Sequence, residues 1–203
     1  MNCASPAAWV LAVLLAPGPA QTATDALFVS FDGRPFTHTS SGLVVDRVPD
    51  AQGIRVRNEK HGFRLILPAS DWTFRTDRRP LEVTDTEYFI TVTPIRQRRS
   101  EKQHLTRTLK QLRKQSNLMV GRARIETVEG KLVLQYYSQS VAGSSSSPTS
   151  RVEWNYRTCV DVSPTMYELH LVLRGTHEGP PAGSESTIRQ IVHSLEPDVE
   201  AGD

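Results

Sequence analysis

Cys159 and His170 are the residue types best suited to chemistry, and they flank the turn-forming run Ser163-Pro164-Thr165. Around them apolar and polar residues alternate. Val152, Trp154, Tyr156, Thr158 and Val160 interleave with Arg151, Glu153, Asn155, Arg157 and Cys159, and Tyr167, Leu169, Leu171 and Leu173 repeat the period beyond the turn. Period-two alternation marks half-buried strands. The pattern therefore predicts a hairpin whose second face gathers Arg157, Cys159, Asp161, Glu168 and His170. A tight turn at Pro164-Thr165 would set Cys159 directly opposite His170, with Cβ atoms about 5 Å apart. A thiol beside an imidazole and a guanidinium ionises more readily and can attack as a nucleophile. That is the chemistry of a small envelope thiol enzyme or hydrolase. The plainer expectation is a half-solvated strand face with ordinary ion pairs and a small buried cysteine. It fits better, because no oxyanion-forming loop or orienting third group accompanies the pair.

A second constellation is electrostatic. The net charge of the 203-residue chain is only +2, yet between Arg96 and Arg124 ten basic residues face one acid, Glu101. Arg96, Arg98 and Arg99 lead into a helical pattern carrying Arg107, Lys110, Arg113 and Lys114 on one side. Arginine engages phosphate and carboxylate bidentately, so such a face suits an acidic protein, an acidic polysaccharide or lipid headgroups. A solvated basic helix face is the ordinary alternative. No Trp or Phe lies on the polar side, which argues against membrane insertion. Aromatic interleaving is missing too, so nucleic acid is not an expected partner.

Enzyme signatures are absent from the sequence: no GxSxG, HExxH, GxxxxGK[ST] or GxGxxG occurs. His38, His61, His104, His170, His177 and His193 are scattered without metal-ligand spacing, so neither a metal nor a cofactor is expected. Trp72, Trp154 and Tyr156 read as core or rim aromatics.

The elements that must position these groups are legible in part. Ile54 and Val56, a turn at Asn58 to Gly62, then Phe63, Leu65 and Leu67 predict a β-hairpin. Pro68 ends it, and Ser70 to Pro80 reads as irregular. Glu87 to Ile95 predicts a strand. Ser100 with Gln103 resembles a capping box and opens a helix over 100–117, with Leu105, Leu109 and Leu112 on its apolar stripe. Strands at Arg122–Thr127 and Leu132–Tyr137 turn at Glu129-Gly130. A serine-rich loop at 141–150 follows, then the 151–173 hairpin. A last helix capped by Ser184 or Ser186 carries Ile188, Ile191, Val192 and Leu195 and stops at Pro197. Residues 24–50 are hard to read: Leu27 to Phe31 suits a strand and Thr37 to Gly42 suits a loop.

At the front, Ala7 to Ala16 is an apolar run closed by Pro17-Gly18-Pro19-Ala20. It is too short for a bilayer, which needs about 20 residues, and it suits an export signal cut after Ala20. No second run approaches spanning length, so the mature form is expected to lack a transmembrane segment. Cys3 leaves with the signal, Cys159 becomes the only thiol, and no intramolecular disulfide can form. The expected division is a signal at 1–20, a partly irregular extension at 21–52, one domain at 53–198 and a tail at 199–203.

The run Gly62 to Trp72 (GFRLILPASDW) and the closing phrase Ile191 to Pro197 (IVHSLEP), with the strand, long helix and meander between them, resemble the PsbP-like/DcrB-like superfamily. The resemblance covers about residues 53–198. It implies an α+β fold: an α/β/α sandwich around a central antiparallel sheet, with an N-terminal hairpin and two main helices. It also implies a binding or accessory role, because that superfamily has no shared active site from which residues could be carried over. The combined expectation is an exported, periplasmic or secreted, non-enzymatic binding protein of the bacterial envelope. Its partner would be a protein or an acidic envelope component. An effector-binding chaperone is the alternative if residues 1–20 are not a signal.

Overall fold

The computed structural model describes residues 26–30, 37–40, 42–47, 53–77, 79–95, 99–140 and 152–198. The expected export signal, Arg96, Arg98, the serine loop and the tail lie outside these residues.

Alternating side chains build two antiparallel sheets. The larger takes β1 (Ala26–Val29), β6 (Trp72–Arg75), β7 (Leu81–Thr84), β8 (Tyr88–Ile95), β9 (Leu118–Val128), β10 (Lys131–Ser140), β11 (Val152–Val162) and β12 (Thr165–Gly175), in the order β1-β6-β7-β8-β12-β11-β10-β9. The smaller takes β2 (Thr37–Ser40), β3 (Leu43–Arg47), β4 (Gly53–Asn58), β5 (Phe63–Pro68) and the two-residue β13 (Glu196–Pro197), in the order β13-β5-β4-β3-β2. Their inward faces share one apolar core. Val45, Ile54, Val56, Phe63, Leu65 and Leu67 of the small sheet meet Trp72, Leu81, Ile90, Val92, Leu169 and Leu171 of the large one, all with essentially no exposure. The Phe63 and Tyr167 rings sit 5.4 Å apart across the gap.

Two helices complete the fold. α1 (Glu101–Leu112) starts where expected: Ser100 caps it, its hydroxyl accepting from the Gln103 N–H at 3.4 Å. It ends one turn short of the predicted 117, with Arg113 at its C-cap. α1 lies on the outer face of the large sheet, where Leu105 anchors a second cluster with Leu134, Tyr136 and Cys159. α2 (Ser184–Ser194) runs beside β5 and adds Ile188, Ile191 and Val192 to the inner core. Its N-cap is Gly183, in a left-handed conformation, and no serine caps it. Near its C-terminus the Ser194 hydroxyl accepts from the Ile66 N–H at 2.8 Å and lies 3.2 Å from the Ile66 carbonyl, occupying backbone groups on the edge of β5.

The expected α/β/α sandwich is therefore corrected. The fold is β-rich, sheet packed on sheet, and the two helices do not form layers. The reason lies in segments whose sequence carries no clear strand signal, some of which read as loop or irregular chain. Thr37–Ser40 and Leu43–Arg47 are strands that widen the small sheet, and Trp72–Arg75 and Leu81–Thr84 extend the large one. Once these strands exist, the inner face of the large sheet is covered by another sheet, and only part of its outer face remains for α1. The predicted hairpins at β4–β5 and β9–β10 are present. Glu129 and Gly130 both adopt positive φ, as a two-residue turn between twisted strands requires.

Candidate functional site

The outer face of the large sheet gathers the polar residues. β11 and β12 are joined through Ser163-Pro164, with Val162 opposite Thr165. This register places Cys159 opposite Glu168 and Arg157 opposite His170, correcting the expected Cys159–His170 pair. The turn is centred one residue earlier than Pro164-Thr165. Facing is preserved, but every cross-strand partner shifts by two positions. The five residues expected on this face, Arg157, Cys159, Asp161, Glu168 and His170, do share it.

Cys159 is 8% exposed, beneath α1 in the Leu105 cluster. Burial pushes its thiol pKa well up, the carboxylates of Glu168 and Glu101 push it further, and Arg157 opposes them only in part. A thiol kept neutral is a packing residue and a poor nucleophile. His170 is half-buried and bonds through Nε2 to the Asn155 Oδ1 at 2.8 Å. Burial, seconded by the Arg157 charge, lowers its pKa to about 3. The neutral ring therefore donates its Nε2–H to that amide oxygen.

What the fold assembles instead is a polar chain leading from the sheet to α1. Arg157 Nε donates to the Tyr136 hydroxyl at 3.1 Å, and its Nη1 donates to Glu168 Oε1 at 2.5 Å. Glu168 Oε2 meets His104 Nε2, again at 2.5 Å. Burial opposes ionisation of Glu168, but the His104 hydrogen bond and the Arg157 charge outweigh it and hold the carboxyl below its usual range. Nearby, Asn155 Nδ2 donates to the Ser138 hydroxyl at 2.9 Å.

Above this chain runs an open groove. One stretch, of about 460 Å³, is lined by Thr93, Arg99, His104, Arg107, Thr108 and Gln111, with Glu168 also on its wall. It shares Pro94, Ile95 and Arg99 with a larger stretch of about 870 Å³ that reaches Ser100, Gln103 and the β11–β12 turn, including Asp161. Of the predicted basic residues, Arg99 and Arg107 line the groove. Lys110 near the end of α1, and Arg113 and Lys114 just beyond it, are exposed and do not line the groove.

His104, which borders the apolar stripe next to Leu105, was not singled out from sequence. The available signal was that a polar residue at the edge of a helix stripe sits at the rim of whatever the stripe packs against. Among the described residues no group of His, Cys, Asp and Glu could hold a metal ion. Nor is any helix there long and apolar enough to cross a membrane. No family model matches the chain, and no curated protein matches it.

Proposed function

We propose that this is an exported protein that acts by binding, without catalysing a reaction, and recognises a protein or acidic component of the cell envelope through the basic surface around α1. The observation that carries this reading is the state of α1's outward side. Lys110, Arg113 and Lys114 are exposed, and none of them makes an ion pair among the described residues. Arg107 and Arg99 continue the positive charge into the groove. Exposed positive charge attracts acidic ligands and speeds their encounter. The burial and raised pKa of Cys159 count against the thiol-enzyme alternative. The phrase Gly62 to Trp72 points the same way, since the superfamily it resembles acts largely by binding, although the layered helices which that resemblance implied are not adopted.

The test is capture from an envelope extract by the mature protein, compared with Arg107→Glu/Lys110→Glu/Arg113→Glu. Loss of the captured component in the charge-reversed protein, and weakening as salt rises, are the expected results. Salt-independent capture by both proteins overturns the reading. For export, the expected amino terminus of protein recovered from the host envelope is Gln21; an intact Met1 in the cytoplasm contradicts it.

A further inference from the structure

We infer that the free edge of β9 pairs with β9 of a second copy of this chain, antiparallel about a two-fold axis at Ile125. This goes beyond the proposed binding role and does not depend on which component is bound.

Length singles out this edge. The other edge strands are short: β1 and β2 have four residues each, and β13 has two. Shortness is one way in which proteins blunt the unpaired N–H and C=O groups of a sheet edge. The Ser194 hydroxyl further occupies the edge of β5. β9, by contrast, has eleven residues and pairs only with β10 among the described residues. A bulge guards its first half. Arg122 and Ala123 together stand opposite Tyr136, Arg122 takes a φ of 49°, and its guanidinium donates to the Glu178 carbonyl. From Ala123 to Val128 the strand continues in unbroken register with β10. Apart from β10, nothing among the described residues bonds to the backbone of that stretch. Six residues is an ordinary length for a paired strand.

The charges decide what fits there. Arg124 and Glu126 flank Ile125 and line the cleft beside α2, while Ala123 and Ile125 pack under α1 on the opposite face. Residues directly opposite in an antiparallel pair interact on one face. With Ile125 opposite its own copy, each Arg124 stands opposite the partner's Glu126, and each Ala123 opposite the partner's Thr127. An axis at Arg124 or at Glu126 would instead oppose like charges, which destabilises a pair. An axis between Arg124 and Ile125 would set the α1 side of one copy against the α2 side of the other. The run Arg124-Ile125-Glu126 is therefore complementary to itself.

Arg124 also has capacity to spare. Its side chain is 63% exposed; Nε and Nη2 reach Gln135, Nε reaches its own Glu126 at 3.2 Å, and Nη1 is unspent among the described residues. Across the axis the two arginines and two glutamates alternate around a ring. Such an interface uses the same surface patch on both copies, as a closed two-fold dimer requires. Because the axis keeps like faces together, both α1 helices lie on one side of a continuous sheet, and the dimer presents the basic surface twice.

The experiment is sedimentation velocity of the purified full chain over a concentration series, with no ligand added. A monomer–dimer equilibrium is expected. Arg124→Glu opposes an acid to the partner's Glu126 and should lower the association constant about tenfold. Glu126→Arg should do the same by opposing two arginines. Arg124→Glu/Glu126→Arg together restore complementarity and should bring the constant back to within about twofold. Unaltered thermal melting shows that each variant folds.

Register is read by oxidative cross-linking in a Cys3→Ser background. Ile125→Cys should yield a disulfide dimer, since opposed Cβ atoms lie about 5 Å apart. Thr127→Cys should not, because each thiol would stand roughly 13 Å along the strand from its copy.

A chain that stays monomeric throughout, a double exchange as weak as the single ones, or equal cross-linking at Ile125 and Thr127 overturns the inference. Cross-linking of Ile125→Cys to another envelope protein in place of its own copy also overturns it, and assigns the edge to a foreign strand. The broader role fails separately: a dimer that captures nothing sinks the binding role alone, and capture by a strict monomer sinks this interface alone.

Discussion

The two hydrophobic clusters of this protein are built on opposite faces of one sheet and differ in kind. Between the sheets, Val45, Ile54, Phe63, Leu65, Trp72, Ile90 and Leu169 pack without exposure, and polar atoms stay at the margins, as where the Trp72 indole N–H reaches the Pro68 carbonyl at 3.0 Å. On the outer face, Leu105, Leu134 and Cys159 cluster with Tyr136, which begins a hydrogen-bonded chain through Arg157 and Glu168 to His104, and His170 bonds separately to Asn155. Apolar area stabilises by roughly 25 cal/mol per Å² whatever its arrangement. A buried charged chain contributes little net stability and is costly to leave half-made. A fold that needed only stability would pack α1 on aliphatic residues. The polar chain sets the outer face apart from the inner one.

Breaking the inner cluster should have the largest effect. Trp72→Ala is expected to cost about 3–5 kcal/mol in denaturant unfolding, from lost transfer energy and the cavity left behind. Breaking the outer chain comes next. Glu168→Ala leaves Arg157 without its carboxylate and should cost about 3 kcal/mol, whereas Arg157→Met/Glu168→Leu together should lie within about 1 kcal/mol of wild type. That pair of measurements sharpens the contrast directly: a single removal hurts, and joint apolar replacement does not.

The outer face should also carry the acid sensitivity. His170 folds with its pKa lowered to about 3 from 6.5. Its contribution is fully present above pH 6.5 and is lost as pH falls from there toward 3, because the unfolded ring takes the proton first. The slope is about 1.4 kcal/mol per pH unit in that window. His170→Gln, which keeps a donor for Asn155, should flatten the decline between pH 6 and 5 in urea titrations. A decline unchanged in this variant would move the acid sensitivity elsewhere. The smallest effect belongs to the helix cap. Ser100→Ala should cost about 0.5 kcal/mol, read as faster amide exchange in the first turn of α1, since the capping bond is long at 3.4 Å.

Much of this contrast was written locally. The alternation in 152–173, the Glu129-Gly130 turn, the Ser100 start and the stripe of Leu105, Leu109 and Leu112 all follow from period and capping, which act between near neighbours. The basic side of α1 could be read in the same way. Thr37–Ser40 and Leu43–Arg47 could not. Polar Thr37, His38 and Thr39 form a strand only because Asp46, Val45 and Val44 stand opposite them in register. The α1 groove escaped for a similar reason. His104 and Glu168 meet at 2.5 Å across 64 positions of chain, and no short-range pattern records such a meeting.

By itself, then, the amino-acid order determined where α1 begins, where the most regularly alternating strands run and which side of each is apolar, and that positive charge collects around one helix. Those properties depend on torsional preference and on hydropathy repeating within a few residues. Only the tertiary structure decided that a second sheet covers the large one, that Cys159 faces Glu168 and not His170, and that Arg99 and His104 line one groove. Strand partnership and register are settled by which faces can be buried together, a competition among distant segments that has no local signature.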